Sequence, residues 1–366
     1  MKQFAVAFGV LALAVGAWPT GGLVEAAALH SVVVVTTGGT IAEKTDPKTG
    51  AAVPAVSGKD LIAAVPGLSK IANVVVVEYS NIDSSQMTPD LWAGLSRRVD
   101  QLLDGQRFVG AVVTHGTDTM AEGAYFLDIT LRTNKPVVFT GAMNDASTPD
   151  PDGPGNLYNA VVQVLSPNAQ NWGVTVTLDR YINSAADVRK TQTTNVMTFE
   201  SGEKGYLGYV FDGKVTRIND RVRRTRIPLP AVSPQTNSQK LPNVPFVYAY
   251  SGADGSIVRA ALASGAKGLV VEGVGAGNVN AAVDDVIVEA LAKKIPVVIS
   301  TRPPLGAAEP IYGDKGGGAT LVRQGATLAG ALEGAKARLL LIVALARFGN
   351  DTKEIKRVFA EVRGAP

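Results

Sequence analysis

The chain has 366 residues, 46% hydrophobic and 18% charged, with 35 Lys and Arg against 32 Asp and Glu and a formal net charge of +3. So balanced a composition gives no ground for nucleic acid or an anionic surface as partner, and the complete lack of cysteine excludes disulfides, thiolate catalysis and zinc–thiolate sites. Only two histidines, His30 and His115, occur, a poor supply for a histidine metal site or a Ser-His-Asp triad.

Residues 1–28 have the make-up of a secretory signal: Lys2, an apolar run of 15 residues from Phe4 to Trp18, then Ala26-Ala27-Ala28 as a small-residue cleavage site. That run is shorter than the roughly 18–20 residues of a spanning helix, and Pro19, Gly21 and Gly22 follow it. A periplasmic or secreted protein with no membrane attachment after processing is expected. The remaining chain is long enough for a large core and two domains.

Val32-Val33-Val34-Val35-Thr36-Thr37-Gly38-Gly39-Thr40 reads as a buried strand ending in a tight turn that presents the Thr40 hydroxyl at its carboxyl end. Residues 43–57 are polar, with Pro47, Gly50 and Pro54, and read as a loop able to close over the rim. Ser57 and Asp60 resemble a capping box before a short helix. A strand follows at 73–79. Thr88-Pro89 supplies an N-cap and first-turn proline to a helix whose apolar face is Leu91, Leu95, Val99, Leu102 and Leu103.

Strands at 108–114, 135–140 and 173–179 then alternate with helices at 118–131 and 155–165. Such alternation predicts a parallel, doubly wound sheet. Residues 219–241, rich in Pro, Ser and Gln and carrying Arg221, Arg223 and Arg224, read as a solvated interdomain linker. Beyond it the pattern resumes with strands at 245–250, 267–272 and 295–300 and helices near 254–264 and 280–293. Two amphipathic helices, 336–347 and 351–362, close the chain. The expected organisation is α/β: a signal segment 1–28, a larger N-terminal domain 29–218 with a mostly parallel sheet flanked by helices, the linker, and a smaller α/β domain 242–366.

The second candidate strand repeats the device of the first. Val109-Gly110-Ala111-Val112-Val113-Thr114-His115-Gly116-Thr117-Asp118-Thr119 again ends in glycine and a rim threonine, and open α/β sheets bind ligands at the carboxyl ends of their strands. A threonine hydroxyl needs a base within reach to act as a nucleophile. With histidine so scarce, Lys190 is the leading candidate, since a lysine drawn into a partly buried site loses proton affinity. Asp118 could orient it or hold a substrate ammonium. Taken singly, each residue has a plainer role: a turn threonine, a surface lysine, a helix N-cap at Asp118, a hydrogen-bonded structural histidine at His115. Their conjunction points to chemistry.

Thr37-Gly38-Gly39-Thr40-Ile41-Ala42, His115-Gly116-Thr117-Asp118-Thr119-Met120, Gly141-Ala142-Met143, Asp152-Gly153-Pro154, Asn156-Leu157-Tyr158-Asn159-Ala160 and Lys190-Thr191 together resemble the bacterial-type L-asparaginases, in the exported type II branch that includes glutaminase-asparaginases. The resemblance runs from about residue 31 to about 347. It implies hydrolysis of the side-chain amide of L-asparagine, with L-glutamine as a second candidate substrate, through an acyl-enzyme on Thr40, with Thr117 and Lys190 as a second essential pair and no metal or cofactor. It also implies that Ser84 binds the substrate α-carboxylate beside Ser85, that Asp118 binds the α-ammonium, and that Asn278 is lent by a neighbouring subunit of a homotetramer with shared active sites. Glu309 is the nearest counterpart of the acid that the partner contributes. Backbone N–H groups around Gly38, Gly39 and Gly116 suit an oxyanion hole.

The sequence departs from that family in places. Residues 43–57 lack the loop tyrosine that hydrogen-bonds the nucleophile. Ser85 precedes Gln86, Asn144 replaces a frequent arginine, and Ala186 replaces another. These changes leave open a different small amide as substrate, or an amino-acid binding protein of weak or lost activity.

Overall fold

The computed structural model describes residues 1, 28–54, 57–220, 226–231 and 240–363; the signal-like run before Ala28 and Arg221, Arg223 and Arg224 lie outside them. The larger of two main sheets has eight strands. Five are parallel, in the spatial order Asn73–Glu78, Ser31–Thr36, Gly110–Thr114, Val137–Thr140, Val174–Leu178. After Ser31–Thr36 the chain pairs the next strand on one side, then crosses to lay Gly110–Thr114 on the other. That reversal is a topological switch point, where such sheets open a crevice. The register pairs Thr36 with Thr114, so both strands end at one level and their outgoing loops share a rim.

Side chains alternate across this sheet as strand geometry requires. Val33, Val35, Ala111 and Val113 face helices Pro89–Leu103 and Met120–Thr130. Val32, Val34 and Val112 face helix Gly153–Leu165. Thr88 caps its helix through the Leu91 N–H at 3.2 Å, and Ser57 with Asp60 forms the expected capping box.

The smaller sheet is fully parallel, ordered Phe246–Tyr248, Leu269–Gly273, Val297–Thr301, Thr327–Leu328. Its own core joins Val271 and Ile299 to Val258, Val283 and Ile287 of the covering helices. Val270 and Val298, on its other face, instead join the core of the large sheet through helix Gly334–Phe348. That helix departs from the amphipathic expectation. Leu339 to Leu345 are all buried, because two layers cover it, and a helix buried all round is apolar all round. Even Lys336 is 1% exposed. The final helix, Thr352–Arg363, packs against it.

Two other expectations change. Residues 43–57 are not one loop: Glu43–Thr45 and Ala52–Pro54 pair as an antiparallel hairpin, with Glu43 opposite Pro54. The segment 219–241 is not solvated throughout: Asn219 and Asp220 are exposed, but Ile227, Leu229 and Leu241 are buried in the large core and the Ile227 N–H donates to the Ile129 carbonyl at 2.6 Å. The large sheet is mostly parallel, as expected, and is extended by three antiparallel strands, Tyr181–Ser184, Gly208–Phe211 and Lys214–Arg217. No helix among the described residues is long and apolar enough to cross a membrane.

Candidate active site

Three glycine-flanked loops meet at the switch point. Gly39 lies so close to the loop after Gly110–Thr114 that a Cβ on it would sit 2.3 Å from Gly116 Cα and N. A Cβ on Gly116 would sit 2.7 Å from Ser84 Oγ, and one on Gly38 would strike the Ile82 carbonyl at 2.4 Å. Gly38 and Gly39 have φ of 106° and 86°, a region that side chains disfavour. Bare backbone at these positions is what lets Thr40, Thr117 and Ser84 share one crevice. Thr37 locks the approach, donating from both its N–H and its hydroxyl to the Thr114 carbonyl at 3.1 and 2.9 Å.

Thr117, Lys190 and Asp118 are in direct contact. Lys190 Nζ donates to Thr117 Oγ1 at 2.9 Å and to Asp118 Oδ1 at 2.6 Å. Thr117 is 6% exposed, whereas the Asp118 side chain is 64% exposed and stands at the mouth. Lys190 comes from a two-residue strand, Arg189–Lys190, paired with Phe199–Glu200. The chain leading into it is held by the buried Lys336, whose Nζ donates to the carbonyls of Ala186 at 3.3 Å and of Val188. The inter-sheet helix thus braces the strand that carries Lys190.

Thr40 opens a single 3₁₀ turn, Thr40–Ala42, closed by the Glu43 N–H on the Thr40 carbonyl. Glu43 is 7% exposed, and the Thr40 side chain three residues before it is among the groups that act on its carboxylate. Burial raises its pKa; the Thr40 side chain opposes this, and the negative charges of Asp83, Asp145 and Asp118 add to it. Sequence reasoning missed Glu43, because an acid followed by Lys44 in a polar segment reads as surface. The available signal was its position three residues after Thr40.

Ser84 is buried and Ser85 exposed. The Ser84 carbonyl accepts from Thr119 Oγ1 at 2.8 Å, and the Ser85 N–H donates to Asp83 Oδ1 at 2.8 Å. His115 is fully buried, with Nδ1 donating to the Gly116 carbonyl at 2.7 Å. Burial is the main cause that lowers its pKa to about 4, so the neutral ring props the Gly116 turn. Asp152 and Asn156 are likewise structural: Asp152 accepts the N–H groups of Met143 at 3.0 Å and Asn144 at 2.9 Å, and Asn156 Nδ2 donates to the Gly141 carbonyl at 3.0 Å. They explain why those motif residues accompany the threonines.

Asn278 and Glu309 lie on loops that follow strands Leu269–Gly273 and Val297–Thr301 of the smaller sheet. Asn278 Oδ1 accepts from the Gly318 N–H at 3.2 Å, and the Glu309 N–H donates to the Ala276 carbonyl at 2.9 Å. One chain therefore brings Thr40, Thr117, Asp118, Lys190, Ser84 and Ser85 to the large-sheet rim and sets Asn278 and Glu309 on neighbouring loops of the second sheet. No group of three or more His, Asp or Glu placed to hold a metal occurs among the described residues.

Fold and site define a two-domain α/β protein with paired hydroxyls, an amine and carboxylates at the switch point of its larger sheet. Residues 31–223 match the model of the asparaginase N-terminal domain, and residues 243–359 that of the glutaminase/asparaginase C-terminal domain. The chain is 37% identical to L-asparaginase 2 of Escherichia coli over 336 residues, 91% of this chain and 94% of that protein. It is also 37% identical to a probable periplasmic L-asparaginase of Haemophilus influenzae, over 93% of this chain and 95% of that one. The crystal structure of a probable cytoplasmic L-asparaginase from Campylobacter jejuni superposes with a TM-score of 0.80 at 37% identity, covering 91% of this chain and 99% of that one. The chain belongs to the asparaginase family.

Proposed function

We propose that the protein hydrolyses the side-chain amide of L-asparagine to L-aspartate and ammonia through an acyl-enzyme on Thr40. The observation that carries the reading is the Thr117–Lys190–Asp118 contact at the rim that Thr40 shares; the relatives' names agree with it. Thr40 Oγ1 attacks the amide carbon, and backbone N–H groups around Gly38, Gly39 and Gly116 face the oxyanion, where one donor is typically worth on the order of 3 kcal/mol. Thr117 and Lys190 form the second essential pair at the opposite wall. Asp118 receives the substrate ammonium, and Ser84 with Ser85 the α-carboxylate. A site built for both charges rejects amides lacking them, because its polar groups would go unpaired. L-Glutamine, one methylene longer, is expected to be a slower substrate.

Export through residues 1–28 and a homotetramer in which Asn278 and Glu309 reach a neighbour's rim complete the proposal. They are supported by the signal-like composition and by the placement of those two residues on the second sheet. Full activity from a sedimenting monomer would remove the shared site, and an unprocessed chain confined to the cytosol would remove export. The central test is ammonia release from L-asparagine by the wild type and by Thr40→Ala. Release that falls at least about 10³-fold in the variant supports the acyl-enzyme. Binding of L-asparagine without release by the wild type would make this a binding protein.

A further inference from the structure

The geometry points to Glu43 as the catalytic base for Thr40: its carboxylate takes the hydroxyl proton as the threonine attacks, and returns it to the leaving nitrogen. This rests on the amide-hydrolysis reading above. In a 3₁₀ turn, side chains at i and i+3 stand one above the other. The turn Thr40–Ala42, closed by Glu43 N–H on Thr40 O, therefore sets residue 43 above residue 40 on one side of the turn, and the Thr40 side chain is among the groups that act on the Glu43 carboxylate. Lys190, the other basic group of the site, is committed to Thr117 and Asp118.

A carboxylate only 7% exposed and outside every ion pair found among the described residues is an uncommon thing for a fold to keep. The charged groups that act on it are Asp83 from the 80–87 loop, Asp145 from the loop after Val137–Thr140, and Asp118 from the Thr117 loop, all acidic. Burial and these three charges push its proton affinity up, in the direction a base for a hydroxyl needs. Its backbone is fixed as well. The hairpin Glu43–Thr45 is tied to the Asp145 loop by Thr45 Oγ1 donating to Asp145 Oδ2 at 3.2 Å and by Thr45 N–H donating to Ser147 Oγ at 2.9 Å. Glu43 thus sits on an anchored strand.

The step balances. The Thr40 O–H bond breaks, its proton goes to a Glu43 carboxylate oxygen and its electron pair forms the Oγ1–carbon bond. The carbonyl π pair moves onto oxygen. On collapse that pair restores C=O, the C–N bond breaks, and nitrogen leaves as ammonia with the proton from Glu43. In deacylation a water gives its proton to Glu43 as it adds. Glu43 then protonates Thr40 Oγ1 as the acid departs.

The test is the pH profile of kcat and KM for L-asparagine with wild type, Glu43→Gln and Glu43→Asp, each checked for native circular dichroism. In Glu43→Gln, kcat is expected to fall about 10²- to 10⁴-fold with KM changed by less than about threefold, and the acid limb of the profile to vanish. Glu43→Asp should regain part of the rate and keep an acid limb. Glu43→Gln turning over within a few-fold of wild type with the same acid limb would overturn the role of Glu43 and leave the hydrolase standing. Should Glu43→Gln fail to fold, a wild type whose kcat has no acid limb at or above the ordinary carboxylate range would overturn it instead. A wild type that releases no ammonia would take both readings down.

Discussion

The two rim threonines come from the same local device, a valine-rich strand running into glycine, yet their surroundings differ. Thr117 is buried and held by an amine that is itself salt-bridged to Asp118. Thr40 is half-exposed, on a one-turn helix, and faces a buried carboxylate. A hydroxyl that accepts from an amine is positioned with its oxygen occupied; a hydroxyl with a buried carboxylate three residues on, in the same turn, has an acceptor for its proton close by. The difference fits the proposed division, with Thr40 as the attacking hydroxyl and Thr117 with Lys190 as the second pair. It also shows that sharing a motif does not make two residues equivalent.

Breaking the Thr117 wall should have the largest effect. Lys190→Met keeps much of the side chain's bulk and removes the donor to both Thr117 and Asp118; kcat is expected to fall about 10²- to 10⁴-fold. Steady-state kinetics that found kcat within a few-fold of wild type would mean that Thr117 works without its amine.

The close approach of the two walls can be loosened by one methyl group. In Gly39→Ala the new Cβ meets the Gly116 backbone at 2.3 Å, where no flexible side chain can yield, and φ is 86°. A loss of about 2–3 kcal/mol is expected from overpacking and backbone strain, together with reduced activity. Gly50→Ala is the control: φ is 68° but nothing lies within 4 Å of the added carbon, so only about 1 kcal/mol of left-handed strain applies. Equal melting shifts for the two would show that the contact between the walls carries no energy.

The histidine under the Gly116 turn sharpens the comparison through pH. Its folded pKa is lowered to about 4 by burial from an unfolded value near 6.5, so the unfolded chain binds the extra proton first as pH falls. Its stabilisation is fully present above about pH 6.5 and is lost between there and pH 4, about 3 kcal/mol in all. Chemical denaturation at pH 7, 5.5 and 4.5 should show this slope, and His115→Gln should flatten it. An unchanged slope in the variant would assign the acid sensitivity to other groups.

Most of the rim was legible because its determinants are local. Strands of consecutive valines, Gly-Gly or Gly-Thr turns and a Thr-Pro cap each specify their own conformation, so the switch point and its threonines follow from a few residues apiece. The missed features depend on distant partners. Helix Gly334–Phe348 looks two-faced until the second sheet covers its other side, and Ile227 and Leu229 look like linker until they meet the large core. Glu43 is the instructive intermediate case. Its spacing from Thr40 is local, but its raised proton affinity depends on burial and on three acids on other loops.

That hairpin supplies the smallest and most specific test of the two-threonine contrast. Thr45 is exposed, and its hydroxyl bond to Asp145 should contribute no more than about 1 kcal/mol to stability. Thr45→Val keeps the β-branched shape that suits a strand and removes only the hydroxyl. If the hairpin holds Glu43 over Thr40, the variant should lower kcat a few-fold with little change in melting temperature, whereas the stability cost of Lys190→Met and its rate cost should appear together. An unaltered kcat would mean that the 3₁₀ turn alone fixes Glu43, and that the Thr40 side of the site needs no support from the Asp145 loop.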